Sequence, residues 1–294
     1  MTMLDHVLLT RFNLPSPGYE ESVRTRDGWL ETRVGLFERY CLPSVRAQEC
    51  REFAWVVYFD PESPAWLMER IHGWRDTLTP LFRRAVRPDE LLADVREASG
   101  GAGDRLLTTN LDNDDALAAT FVTRVQDVAR RAGSAPTAIY LAEGLIGAGD
   151  RVYSRTDPAN AFCSVSAPWA TATTCWADWH NELGRSMPVA LDFGDPAWLQ
   201  VVHGTNVSNR VHGVLASPAA YAPLFPDLFD HLPEPRLADR ALDAALARPL
   251  RLARDTCRGL VKRAVVTVAG RAALDRIRYR LRQWGPARGR LRKG

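Results

Sequence analysis

The sequence predicts an α/β fold: a mostly parallel sheet flanked by helices, followed by a helical C-terminal extension. Over the first two hundred residues, short apolar runs stop at turn-forming residues, as buried strands do. Between them lie stretches with apolar residues near helical spacing, and this alternation is how parallel strands with crossover helices read. After residue 217 the pattern changes: five prolines fall between 218 and 235, and arginine-rich helical sequence follows. The expected organisation is a domain over 1–217, a Pro-rich linker over 218–235 and a basic helical extension over 236–294.

In order, His6–Phe12 is a buried strand that ends before a Pro-Ser-Pro-Gly cluster. Residues 28–48 carry Trp29, Val34, Phe37, Cys41, Leu42 and Val45 at helical spacing, and Pro43 predicts a break or restart there. Phe53–Phe59 is the clearest strand and stops at Asp60-Pro61; a short helix over 64–76 and a strand over 81–86 follow. Residues 105–111 form a strand running into Asp112-Asn113-Asp114-Asp115, with a helix expected from Ala116 to Arg131 and a strand over 137–146. Residues 164–178, rich in Thr, Ala and Trp, are expected to line a cleft, and a last strand lies within 197–209. Helix is expected over 237–284.

A chain of 294 residues, 46% hydrophobic and 25% charged, can bury one substantial core with an appendage. The first residues, MTMLDHVLLTRFN, read as a strand rather than a leader, and no stretch is long and apolar enough to span a bilayer, so a cytoplasmic protein is expected. Five cysteines without a CxxC pair predict free thiols. The net charge of +3 conceals an asymmetry: residues 236–294 hold 17 Lys/Arg against four Asp/Glu, so an acidic body precedes a basic tail. Such a tail suits an anionic membrane surface or an acidic partner, or serves as a solvated cap.

The acidic run is the most informative feature. Carboxylates at the carboxyl end of a parallel strand sit where open α/β sheets bind ligands. In an extended segment Asp112 and Asp114 point the same way, and two such carboxylates suit Mg²⁺ or Mn²⁺ against a diphosphate. The alternative is that Asp114 or Asp115 caps the following helix. Asp60 and Arg11 end strands on the same rim: Asp60 could accept from a ribose or base, or simply form a turn; Arg11 could hold a base or phosphate, or an ion pair. His203, beside Gly204, is a third metal ligand or a structural imidazole. Asn206-Val207-Ser208 matches a glycosylation sequon and is discounted. Asp178, His180 and Glu182 supply candidates for the general base, Asp178 and His180 foremost. Trp169, Trp176 and Trp179 could stack on sugars or pack as a cluster. Motifs for dinucleotide binding, P-loops, nucleophile elbows and zinc proteases are missing.

Taken together, DHVLLTRFNL, WLETRVGLFERYCLPSVRAQ, WVVYFD, LTTNLDNDDAL and WLQVVHGTNVSNR resemble the bacterial putative rhamnosyltransferase family, over roughly residues 5–213. The resemblance implies a GT-A-like fold and a metal-dependent glycosyltransferase with a nucleotide-sugar donor, dTDP-rhamnose among the possibilities. It places Asp112-Asn113-Asp114 at the DxD-like motif, with Asp112 and Asp114 toward the metal, His203 completing the metal or phosphate shell and Asp60 at the nucleoside; Arg11 and Asn113 are the other candidates for holding the donor. The acceptor would be a glycan, lipid or small molecule. The competing classes are a binding protein using the basic tail for nucleic acid or membrane, and a nucleotidyltransferase or nucleotide-sugar hydrolase. The tail lacks the patterning of a nucleic-acid binder, so no nucleic-acid partner is expected.

Overall fold

The computed structural model describes residues 2–15, 27–203, 210–254 and 256. Gly204, the sequon at Asn206, Cys257 and the basic stretch beyond residue 256 lie outside them. The chain divides into two compact units, Met1–Asp243 and Ala244–Gly294; the described part of the second is helical.

The first unit begins with β1 (Leu4–Arg11), then α1 (Trp29–Leu36), which passes through a π-helical turn, Phe37–Cys41, into α2 (Leu42–Arg46). There follow β2 (Ala54–Phe59), α3 (Ala65–Trp74), β3 (Thr79–Phe82), α4 (Pro88–Ser99) and β4 (Arg105–Asn110). Next come β5 (Ala116–Leu117), α5 (Phe121–Arg131), β6 (Thr137–Leu141), β7 (Glu143–Ala148), β8 (Arg151–Thr156) and β9 (Ser164–Pro168). β10 (Val189–Asp192), β11 (Trp198–Val202), β12 (Val214–Ala216) and α6 (Leu237–Leu242) complete it.

Seven strands form the central sheet in the order β10-β6-β9-β4-β1-β2-β3. Its pairings are parallel except where β9 runs antiparallel between β4 and β6, so the mainly parallel α/β architecture is as expected. β1 and β2 bury successive side chains on both sides because apolar layers cover both faces. Leu8, Val57 and Leu107 meet Phe37, Trp74 and Phe121 on one face, while Val7, Val56 and Leu106 meet Leu91 and Val95 of α4 on the other. A second sheet, β12-β8-β7-β11-β5, is mostly antiparallel. The Pro-rich segment 218–235 packs Phe225, Leu228 and Phe229 beneath it. Among the described residues no helix is long and apolar enough to cross a membrane.

At Pro43 the helix restarts as expected: α-helical bonding ends at Leu36, a π-helical turn in which the Leu42 N–H reaches the Phe37 carbonyl follows, and α2 begins at Leu42 with Pro43 in its first turn. Other boundaries differ from expectation. The helix expected from Ala116 starts at Phe121, because Ala116–Leu117 pairs with β11 instead. The run 137–146 is two strands in two different sheets, divided at Ala142. The third strand ends at Phe82, short of 86, and α4 was not anticipated.

Two buried contacts have measurable consequences. Gly144 lets the Trp198 indole lie against β7: a Cβ there would fall 2.1 Å from the ring. Gly144→Ala should therefore overpack the site by about 2 kcal/mol and lower Tm by about 4–8 °C in thermal melts; an unchanged Tm would refute this packing. His6 is buried between the Gln126 amide, 3.3 Å from its Nδ1, and the Thr109 hydroxyl, 2.9 Å from its Nε2. Burial, helped by the nearby Arg130 charge, lowers its pKa to about 3. Below pH 6.5 the unfolded chain takes up a proton that the folded chain refuses, so stability falls as pH drops from 6.5 to 5, approaching about 1.4 kcal/mol per unit. His6→Gln should flatten that slope in pH-dependent urea melts.

Candidate active site

The carboxyl ends of β1 and β4 lie side by side, because the two strands are parallel and adjacent with Leu9 opposite Asn110. The chain leaving β4 is fastened to β1. The Leu111 N–H donates to the Leu9 carbonyl at 3.0 Å, and the Thr10 hydroxyl to the Leu111 carbonyl at 2.7 Å. The Asn113 amide donates to the Phe12 carbonyl at 2.6 Å. The segment then turns, with the Asp115 N–H directed at the Asp112 carbonyl at 3.3 Å.

This turn separates the acidic side chains. Asp112 opens toward a cavity of about 840 Å³. Asp114 Oδ2 accepts from Arg33 Nη1 at 2.6 Å and from His203 Nε2 at 2.8 Å. Asp115 is fully buried; its Oδ1 accepts the Val201 N–H at 2.8 Å, and its Oδ2 has no partner. Asp115 thus fixes β11 rather than capping a helix. Asn113 does not turn aside, since its Oδ1 also accepts from Arg33, at 3.1 Å. Alternation would hold in an extended segment; the turn at Asn113-Asp114 rotates Asp114 toward α1 and the end of β11.

The carboxylates respond accordingly. Desolvation by the surrounding groups and the Asp114 charge raise the Asp112 carboxyl above its usual range. Burial works against the Asp114 charge, but the His203 hydrogen bond and the Arg33 guanidinium outweigh it and hold that carboxyl below its usual value. Burial, with the Asp114 and Asp112 charges, drives Asp115 well above its usual range.

The cavity gathers most of the side chains expected from sequence: Arg11, Asp112, Asn113, Asp114, Asp178 and His180 all line it. The Arg11 guanidinium lies 4.1 Å from the centre of the Trp176 ring, whose Nε1 donates to Asn110 Oδ1 at 2.7 Å. Asp178 accepts the Trp179 N–H at 2.7 Å, and the Tyr140 hydroxyl donates to the His180 carbonyl. Burial lowers the His180 pKa against the opposing Asp157 charge, which favours a neutral imidazole. Trp176 and Trp179 line the cavity. Trp169 does not: its Nε1 donates to Asp5 Oδ2 at 2.6 Å, and Arg96 lies over its ring. Asp60 is also off the lining; its Oδ1 accepts the Glu62 N–H at 2.9 Å in a local turn, and its own N–H holds the Asn13 side chain. His203 meets the site through Asp114.

Sequence reasoning missed Arg33, Arg155 and Asp157, which also line the cavity. Arg33 lies 80 residues from Asn113, and nothing in the helical pattern of α1 distinguishes it. As for a divalent ion, the expected set of Asp112, Asp114 and His203 does not fit: His203 points its nitrogen at Asp114, and Arg33 occupies the same oxygen. Among the described residues no three His, Cys, Asp or Glu side chains are grouped to hold a metal.

A profile of the family described as "Putative rhamnosyl transferase" matches residues 5–214. No curated protein sequence matches the chain. Among solved structures, the chain is similar to S. aureus TarS 1-349 in complex with UDP-GlcNAc, at 9% identity and a TM-score of 0.40, covering 75% of this chain and 64% of that one. It thus spans less than two thirds of that TarS chain. A putative nucleotide-diphospho-sugar transferase from Desulfovibrio desulfuricans G20 matches at 12% identity and a TM-score of 0.37, covering 68% and 83%. A putative glucose-1-phosphate thymidylyltransferase from Bacillus anthracis matches at 8% identity and a TM-score of 0.32, covering 66% and 88%. These likenesses concern the fold.

The unpartnered Asp115 oxygen makes a test of the turn's electrostatics. Asp115→Asn keeps the acceptor for Val201 and imitates the neutral carboxyl that burial favours, so it should hold or raise Tm at pH 8, where the unfolded chain's carboxyl is ionised. Asp115→Leu strands the Val201 N–H and should cost about 1–3 kcal/mol. A destabilised Asn variant beside a tolerated Leu variant would reverse this reading.

Proposed function

The chain belongs to the putative rhamnosyl transferase family, and from that membership we propose that it transfers a sugar from a nucleotide-diphosphate donor to an acceptor hydroxyl. The observation that carries the proposal is the cavity of about 840 Å³ at the carboxyl ends of β1 and β4. It unites an open carboxylate, fixed arginines, two tryptophan faces and a pair of candidate bases. Its volume of about 840 Å³ suits a nucleotide-sugar together with part of an acceptor.

In this reading the donor's diphosphate meets Arg11, which Trp176 presents at the rim. Asp112 accepts from donor hydroxyls, and the Trp176 and Trp179 faces flank the sugar. The acceptor oxygen attacks the anomeric carbon as the bond from that carbon to the phosphate oxygen breaks, and the electron pair leaves with the nucleoside diphosphate. His180 or Asp178 takes the hydroxyl proton, and a neutral imidazole is ready to do so. A single displacement of this kind inverts the anomeric configuration. The family's name favours rhamnose, and dTDP-rhamnose is the donor to try first. The metal-assisted version, with Mn²⁺ or Mg²⁺ on Asp112, Asp114 and His203, requires Arg33 to leave Asp114.

The test is nucleoside-diphosphate release from a panel of nucleotide-sugars, dTDP-rhamnose included, with and without glycan and lipid acceptors. Acceptor-dependent release is expected. Asp112→Asn and His180→Ala should each reduce kcat by about 10²-fold or more with the fold intact by circular dichroism. Equal release without acceptor identifies a hydrolase instead, and full turnover in both variants refutes the assigned roles.

A further inference from the structure

The Asp-Asn-Asp motif already has a cation. Arg33 Nη1 lies 2.6 Å from Asp114 Oδ2 and 3.1 Å from Asn113 Oδ1, so one guanidinium holds the last two residues of the motif. His203 Nε2 closes on the same Asp114 oxygen at 2.8 Å. The Arg33 and His203 side chains are each 14% exposed and that of Asp114 is 7% exposed, so this pairing is enclosed rather than a fluctuating surface contact. Arg33 is not on a loose loop: it belongs to α1, whose Val34 is buried in the main core, and Phe37 of the next turn is packed there too. A divalent ion on Asp114 Oδ2 would have to displace both nitrogen donors, and an ion on either carboxylate oxygen would lie close to the permanent positive charge of Arg33. Arg33 also lines the cavity, with Arg11 and with Arg155, whose guanidinium is paired with Asp157 at 2.5 Å. Fixed guanidinium groups around one cavity recognise a diphosphate through charge-assisted hydrogen bonds.

We infer that Arg33 takes the place of the expected divalent cation: it is the resident counter-charge of the acidic turn, and the donor's diphosphate is bound by side-chain cations without a metal bridging Asp112 and Asp114. The inference rests on the donor site proposed above and deepens it. Arg33 holds the motif from behind and adds positive potential to the cavity; Arg11 stands at the cavity for the phosphates, while Arg155 is held there by Asp157. Metal and Arg33 are then mutually exclusive occupants of Asp114, so removing one should admit the other.

The experiment is titration calorimetry of the full chain with UDP, dTDP and inorganic pyrophosphate in EDTA and in Mn²⁺, alongside electron paramagnetic resonance of free Mn²⁺ to count bound ions. Wild type should bind the nucleotides in EDTA with affinity within about threefold of that in Mn²⁺, and should bind no stoichiometric Mn²⁺. Arg33→Gln should bind one Mn²⁺ and show nucleotide affinity that depends on Mn²⁺ by about tenfold or more. Arg33→Lys, which keeps the charge and guards against a glutamine variant that does not fold, should retain metal-free binding at reduced affinity. Wild-type nucleotide binding that requires Mn²⁺ overturns this inference and leaves the donor site standing. Binding of neither nucleotides nor pyrophosphate in either buffer overturns the donor site and the inference with it.

Discussion

Three carboxylates in four residues at the end of a strand, two of them buried, are the constraint around which the first unit is arranged. Such a turn is tenable only if each carboxylate has a different neighbour. Asp114 is answered by Arg33 and His203, Asp115 by the Val201 N–H, and Asp112 by the open cavity. Through those partners the turn ties β4 to α1 and to β11, and through Asn113 to the end of β1. An electrostatic liability thus doubles as the clamp that joins both sheets at the rim.

The site side chains are held by a second layer of contacts. Asn110 orients Trp176, which supports Arg11. Tyr140 fixes the backbone at His180. Asn110 and Tyr140 come from β4 and β6, so this part of the cavity wall is anchored to the sheet. This arrangement is suited to presenting charges in fixed geometry.

Much of the architecture was legible in the sequence, since β1, β2 and β4 are apolar runs that stop at polar residues on one rim. α4 was legible in principle: Pro88 opens it, and Asp89 and Glu90 occupy its first turn, an ordinary helix-start signal that its modest apolar content obscured. The division of 137–148 was not legible, because an apolar run carries no mark of which sheet will receive each half. Placing Asp112, Asp114, Asp178 and His180 near one cavity required only strand ends and local chemistry. The role of Asp114 needed Arg33, distant in the chain and one of many arginines; only the folded helix reveals their pairing.

The division at Ala142 has a mechanical corollary. Leu141 closes a strand of the large sheet and Glu143 opens one of the small sheet, with Ala142 itself bonded to the Asp192 carbonyl and to the Asp157 N–H. The two sheets therefore share a continuous crease with no slack in it. A displacement of β6 is therefore passed directly to β7, with no loop between them to absorb it.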